Sequence, residues 1–297
     1  MRLAQLLAEY AARTRPKANT LKLYELAVRQ FSLSLLRHAE IDDLTEERME
    51  QHVARRQRGG VSQGTIAGEQ RKLYALWRFA CKQNYLKVWP TSHPVRVPSR
   101  IPRAWTVEEL RKLFGCTKHA VDVGSVSGPL WWGALFSALY DTGERISAML
   151  ALRWDGVDLD GLTVYLPAEV RKGGQVDRVY PISEQTAQLL RRLPREYRPF
   201  FWPYDQATMY NRLKRMLTKG GLPSDRRSKF HRIRRSTASH YEAAGGNAMK
   251  LLGHSSPKVT ATYLDPRIVR TESPIDLLPR IGMGDGNSDS PQTTATN

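Results

Sequence analysis

Apolar residues recur at helical spacing through residues 1–88. Leu21, Tyr24, Leu26 and Phe31 form one stripe with the basic Arg29 set among them, and Leu73, Leu76, Trp77 and Phe79 form another. Thr45 followed by Glu46 and Glu47 predicts a helix start. A threonine hydroxyl caps free N–H groups there, and carboxylates suit the positive end of the helix dipole. Gly59-Gly60 closes that helix, and Ser62 or Thr65 opens the next. The pattern then breaks: Pro90, Pro94, Pro98 and Pro102 crowd a short stretch that suits neither a helix nor a central strand. We read 89–103 as an interdomain linker, extended between its prolines.

Thr106-Val107-Glu108-Glu109 restarts a helix, and the pattern beyond it is mixed. Leu130 to Tyr140 is an apolar helix ended by Gly143, and Ile146, Met149, Leu150 and Leu152 predict another stripe directly after Arg145. Leu162–Leu166 and Val176–Ile182 read as strands, with Lys172-Gly173-Gly174 in the connection between them. Helical patterns follow at 184–194, 205–219, 230–244, 247–252 and 257–264, the last opened by Ser256-Pro257. Beyond 281 the chain is polar and glycine-rich, and disorder is expected.

Composition narrows the partner. The chain has 297 residues and a formal net charge of +17, an excess that favours a polyanion through counterion release. A basic membrane-surface protein would carry the same charge. However, no apolar run approaches the roughly 18 residues of a spanning helix, no lipidation signal is visible, and Met1–Gln5 lacks the apolar core of a signal peptide. No membrane partner is therefore expected. Cys81 and Cys116 are too few for a disulfide framework or a structural zinc site, which fits a reducing cytoplasm. The charge is uneven: residues 191–235 hold 14 Lys or Arg against Glu196, Asp205 and Asp225. Because that run ends inside Phe230-His231-Arg232-Ile233-Arg234-Arg235, a phosphate-tracking surface is expected there.

Breaking a phosphodiester without a metal needs a nucleophile, charge at the non-bridging oxygens and a proton for the leaving oxygen. Candidates for all three stand along the chain: Arg145 in Thr142-Gly143-Glu144-Arg145, Lys172, His231 and Arg234 three residues apart, His254 after Gly253, and Tyr263 nine positions after His254. Arginine suits the charge role, since its fork makes two parallel bonds to phosphate and stays protonated. Singly, each residue has a plainer explanation: a solvated helix-start arginine, a turn lysine, a surface helix, a C-terminal histidine favourable to the dipole, a half-buried tyrosine.

Together, in this order, they resemble the tyrosine recombinase family of phage integrases and chromosome-dimer resolvases. The matching strings are Thr142-Gly143-Glu144-Arg145-Ile146-Ser147, Lys172, His231-Arg232-Ile233-Arg234, Leu252-Gly253-His254-Ser255-Ser256 and Tyr263, and the likeness covers roughly residues 5–270. Two positions depart from the family's frequent pattern: Ala148 where an acid often stands, and Arg235 where histidine often stands.

The resemblance implies a mainly α protein with a small β-sheet or hairpin, built as a two-domain DNA clamp. Residues 1–88 would be the helical core-DNA-binding domain and 104–275 the mixed α/β catalytic domain, with 276–297 a flexible tail. It implies a site-specific recombinase (integrase) that cleaves and rejoins DNA through a 3′-phosphotyrosyl intermediate, with no metal, cofactor or ATP. Tyr263 would be the nucleophile, Arg145 and Arg234 the phosphate clamp, His231 a proton acceptor or phosphate ligand, His254 a donor to the phosphate and Lys172 the general acid. A free tyrosine has a pKa near 10, so it needs such help. Double-stranded DNA is the implied partner, with a homo-tetramer on two sites and a dimer on each, and the location the cytoplasm at the nucleoid. A topoisomerase-IB-like nickase and a non-catalytic DNA-binding regulator on the same fold stay open. Ile275, Leu277 and Leu278 are read either as docking on a neighbouring protomer or as folding back.

Overall fold

The computed structural model describes residues 1–269 except 92, 174 and 175. The chain divides into two compact units between Arg100 and Ile101.

The first unit is helical. Helices α1 (Leu3–Thr14), α2 (Ala18–Leu35), α3 (Glu46–Arg58) and α4 (Gln63–Lys82) surround a core that includes Leu3, Leu6, Phe31, Met49, Leu73 and Trp77. Local chemistry sets their ends. The Thr45 hydroxyl accepts the Arg48 N–H at the start of α3, Ser62 accepts that of Thr65 at the start of α4, and Gly59 follows the last residue of α3. The α2 stripe differs from expectation: Ala27, Val28 and Phe31 are its buried residues, while Leu26 is 44% exposed. Counting Leu26 into the core places the buried face about a third of a turn wrong.

The proline-rich segment does not hang free of this unit. The Gln70 amide donates to His93 O and accepts the Val95 N–H, both at 2.9 Å, and Trp77 Nε1 donates to Val88 O at 2.7 Å. With its N–H groups thinned by proline, the segment is held by side chains reaching out of α4.

The second unit is built on α6 (Gly128–Thr142), whose Trp131, Trp132, Ala134, Leu135, Phe136, Ala138 and Leu139 are all buried. A helix apolar on every side belongs at the centre of its unit. It packs against α8 (Glu184–Arg191) and α10 (Phe230–Ala243). Before it comes α5 (Val107–Gly115), opened by a Thr106–Glu109 capping box. After it come the single turn α7 (Ile146–Met149) and an antiparallel sheet, β1 (Val157–Asp158), β2 (Thr163–Leu166) and β3 (Arg178–Pro181), in that order. Val157 pairs with Val164 and Val164 with Tyr180, and Val164, Leu166 and Tyr180 are buried against the core. The pattern did not predict β1, which is two residues long. Helices α9 (Gln206–Lys219), α11 (Ala248–Leu252) and α12 (Pro257–Ala261) complete the unit.

Among the described residues no helix is long and apolar enough to cross a membrane. The expected flexible tail at 276–297, with Ile275, Leu277 and Leu278, lies outside the described residues.

Candidate active site

Two helix ends and one helix face converge in the second unit. α6 stops at Gly143, whose φ of 62° is the left-handed turn that glycine adopts without strain. A Cβ there would also press on Thr237 Cγ2 at 3.2 Å. The turn delivers Glu144 into the protein and puts Arg145 at the start of α7. α11 stops in the same way at Gly253, φ 67°, and presents His254. From α10, residues three apart share a face, so His231 and Arg234 both point toward these ends.

Arg234 ties the three pieces together. It is 1% exposed; its Nη1 donates to Gly143 O at 2.6 Å and its Nη2 to Leu252 O at 3.1 Å. Nη2 also lies 3.4 Å from His254 Nε2, and Nη1 lies 3.7 Å from Glu144 Oε2. Its Nε is buried without a partner among the described residues, and so is that of the neighbouring Arg235. The His254 ring is held from behind by Thr260 Oγ1, 3.1 Å from Nδ1. When that hydroxyl donates to Ser256 O, 3.4 Å away, Nδ1 carries the ring hydrogen and Nε2 accepts from Arg234 Nη2.

Tyr263, just after α12, is half-buried between the histidines. Its ring centroid lies 5.0 Å from that of His231 and 4.7 Å from that of His254, with the Arg234 guanidinium carbon 5.5 Å away. The Arg145 side chain donates to nothing among the described residues, yet its charge is felt by His231, Arg234 and His254. Five of the six residues singled out in the sequence thus come together. Lys172 stands apart, exposed in the connection between β2 and β3.

The pocket is short of negative charge. His231 is exposed at the surface, yet desolvation by the residues packed around it, with the charges of Arg235, Arg234, Arg145 and His254, lowers its pKa to about 4. Burial, then Arg234 and Arg145, lower that of His254 to about 4 as well. Burial and the charge of Arg145 pull Arg234 below the usual arginine value, against the opposing pull of Glu144. Unpaired buried donors among surplus cations make an anion hole, and its hydrogen-bonding fits phosphate.

Sequence reading passed over Glu144 as a partner. It is 1% exposed and accepts from Arg171 Nε at 2.6 Å, Tyr180 Oη at 2.7 Å and the Arg145 N–H at 2.8 Å. No acid stands at 148, where Ala148 is fully buried. Glu144 was visible inside Thr142-Gly143-Glu144-Arg145, but its partners are 27 and 36 residues away. The basic run is also partly consumed by the fold. Arg232 lies 3.4 Å over the Trp105 ring and bonds Glu109, Arg195 stacks on Trp154 at 4.0 Å, and Arg212 on Tyr204 at 4.3 Å.

Residues 105–268 match the model of the Phage integrase family. Tyrosine recombinase XerC of Neisseria meningitidis serogroup B is 28% identical over 220 residues, 69% of this chain and 70% of that one. Among solved structures, a lambda integrase tetramer bound to a Holliday junction superposes with a TM-score of 0.70 at 17% identity, over 92% of this chain and 80% of that one. The Tn1549 transposon integrase in complex with transposon right end DNA gives 0.69 at 18% identity, over 89% and 95%. The match to the family model, over more than half the chain, shows what this protein is: it belongs to the phage integrase family of tyrosine recombinases, site-specific enzymes that break and rejoin DNA.

Proposed function

We propose that Tyr263 is the nucleophile and that the pocket around it holds the scissile phosphate. The observation that carries this reading is the tyrosine ring set between His231 and His254 beside a buried arginine whose Nε has no partner among the described residues. The Tyr263 phenol oxygen attacks phosphorus, the bond to the 5′ oxygen breaks, and a 3′-phosphotyrosyl link and a 5′-hydroxyl result. Arg145 and Arg234 bind the non-bridging oxygens, where charge builds up in the transition state. His231, whose pKa is lowered by burial and its cationic neighbours, is neutral at neutral pH; the bound phosphate offsets those cations and raises its basicity, so that it accepts the phenol proton. His254, held at Nδ1 by Thr260, turns Nε2 to the phosphate, whose negative charge raises its pKa and makes it a donor. Lys172, exposed in the connection between β2 and β3, supplies the proton to the leaving 5′ oxygen.

A 5′-hydroxyl from a second duplex reverses the step and restores the phenol, so strands are exchanged with no outside energy source. Double-stranded DNA is the substrate, bound by a helical unit up to about residue 88 and a catalytic unit from about 104. The protein works as a dimer on each site and a tetramer on two, in the cytoplasm at the nucleoid. The DNA-bound lambda integrase dimer and tetramer among its structural neighbours support that assembly. No feature of the structure favours the nickase or the non-catalytic regulator. The test is Tyr263→Phe: the variant binds DNA with wild-type affinity and gives no denaturation-resistant adduct, and an adduct in that variant refutes the nucleophile.

A further inference from the structure

We propose that the buried Glu144–Arg171–Tyr180 cluster is a positioning device: it fixes the hairpin that carries Lys172 against the Arg145/Arg234 clamp, so that proton donor and phosphate ligands share one frame. The proposal rests on the reading of Lys172 as general acid.

The two oxygens of Glu144 face different parts of the site. Oε1 accepts from Arg171 Nε at 2.6 Å and Tyr180 Oη at 2.7 Å, both on the hairpin side. Oε2 accepts the Arg145 N–H at 2.8 Å and lies 3.7 Å from Arg234 Nη1, both on the clamp side. One carboxylate therefore joins the hairpin to both phosphate-binding arginines. Burial by itself would raise its pKa, but the bonds from Tyr180, Arg145 and Arg171 and the charge of Arg234 prevail and hold it below the ordinary carboxylate range.

Arg171 converts that anchor into a direction for Lys172. Its backbone is extended, φ −95° and ψ 136°, so side chains 171 and 172 leave on opposite sides. Arg171 is 7% exposed and turned inward; Lys172 is exposed and turned outward. Arg171 Nη1 also donates to Val176 O at 2.9 Å, which ties the two arms of the connection. A second arginine fastens β3 to the other side of the site: Arg178 Nη1 donates to Lys250 O at 2.6 Å and Leu251 O at 3.2 Å, at the end of α11 just before His254. A buried ion pair adds little to stability over an apolar pair of the same volume, whereas it fixes geometry through several directed bonds. Proton transfer depends on such geometry, because the donor must reach hydrogen-bond distance of the leaving oxygen.

The experiment compares two leaving groups. Full-length protein is given suicide duplexes carrying the site mapped from wild-type covalent complexes, with either oxygen or sulfur at the bridging 5′ position. A thiolate leaves without a proton. Arg171→Lys keeps the charge but not the fork that reaches both Glu144 and Val176, and Tyr180→Phe removes one bond to Oε1. Both variants are expected to fold. They should cleave the oxygen substrate about 10- to 100-fold more slowly and the sulfur substrate within about 3-fold of wild type. Lys172→Ala should show the same pattern with a larger loss, and Arg145→Ala should lose rate on both. Equal losses of Arg171→Lys on both substrates, or no loss, overturn the proposal. If Lys172→Ala is rescued by sulfur and Arg171→Lys is not, the positioning proposal fails while Lys172 stands as the acid. If Lys172→Ala is not rescued, the acid assignment fails and the proposal falls with it.

Discussion

Each unit of this chain buries a glutamate among cations, with opposite outcomes. In the helical unit Glu69 is gripped by Arg56 through Nε at 2.9 Å and Nη2 at 2.7 Å, with the fully buried His52 3.4 Å away and held at Nδ1 by Ser34. Burial first, then the charge of Arg56, lower the pKa of His52 against the pull of Glu69, so one arginine and one carboxylate balance each other. In the other unit Glu144 faces Arg171, Arg234 and the Arg145 backbone, with the Arg145 and Arg235 side chains close by. The Arg56–Glu69 pair closes on itself, although His52 Nε2 beside it is also buried with no hydrogen-bond partner among the described residues. A surplus of cations with unpaired donors is a place for an anion that arrives later.

The largest contrast is expected in Arg145→Ala. Its side chain donates to nothing among the described residues, so the melting temperature should stay within a few degrees while single-turnover cleavage falls by about 10³-fold. Near-normal cleavage in that variant removes Arg145 from the clamp. Arg234→Ala should lose as much cleavage and also stability, because Arg234 joins α10 to the ends of α6 and α11. Arg56→Ala in the other unit should do the reverse. Denaturant unfolding should show a loss of about 2 kcal/mol, an order-of-magnitude figure for bonds to a charged group, with cleavage per folded molecule unchanged.

How far the sequence carried depends on how local each cause is. Thr45, Ser62 and Thr106 cap helices through bonds spanning three residues, so the helix starts could be read directly. Gly143 was legible as a helix end but not as an acceptor for Arg234, 91 residues away. The order and spacing of Arg145, Lys172, His231, Arg234, His254 and Tyr263 pointed to the family whose model matches residues 105–268. Glu144 and Arg171 escape a sequence reading because a carboxylate beside an arginine reads as a spacer until tertiary contacts supply its partners. Leu26 misled because one apolar residue off the stripe still fits a helical count.

Two further effects sharpen the comparison. DNA affinity should fall by roughly 10³-fold between about 50 and 200 mM salt if several phosphates are neutralised, which titration by anisotropy would read; a flat response contradicts a basic DNA-binding face. The second effect is in pH. His231 and His254 have folded pKa values of about 4, below the roughly 6.5 of an unfolded histidine. The unfolded chain therefore takes up protons first as pH falls. Their contribution to stability is complete above about pH 6.5 and is lost on the way down to about pH 4. A phosphate in the pocket raises both pKa values, so DNA should flatten this decline in thermal melts. The same decline with and without DNA would place the phosphate elsewhere.

The most direct measurement is to trap the protein on a nicked duplex that loses its 5′-hydroxyl strand, denature it, digest it and sequence the DNA-linked peptide by mass spectrometry. The nucleotide should sit on Tyr263 through a 3′-phosphate, in the peptide that follows His254. A link at any other residue, or a 5′-phosphate on Tyr263, contradicts the account.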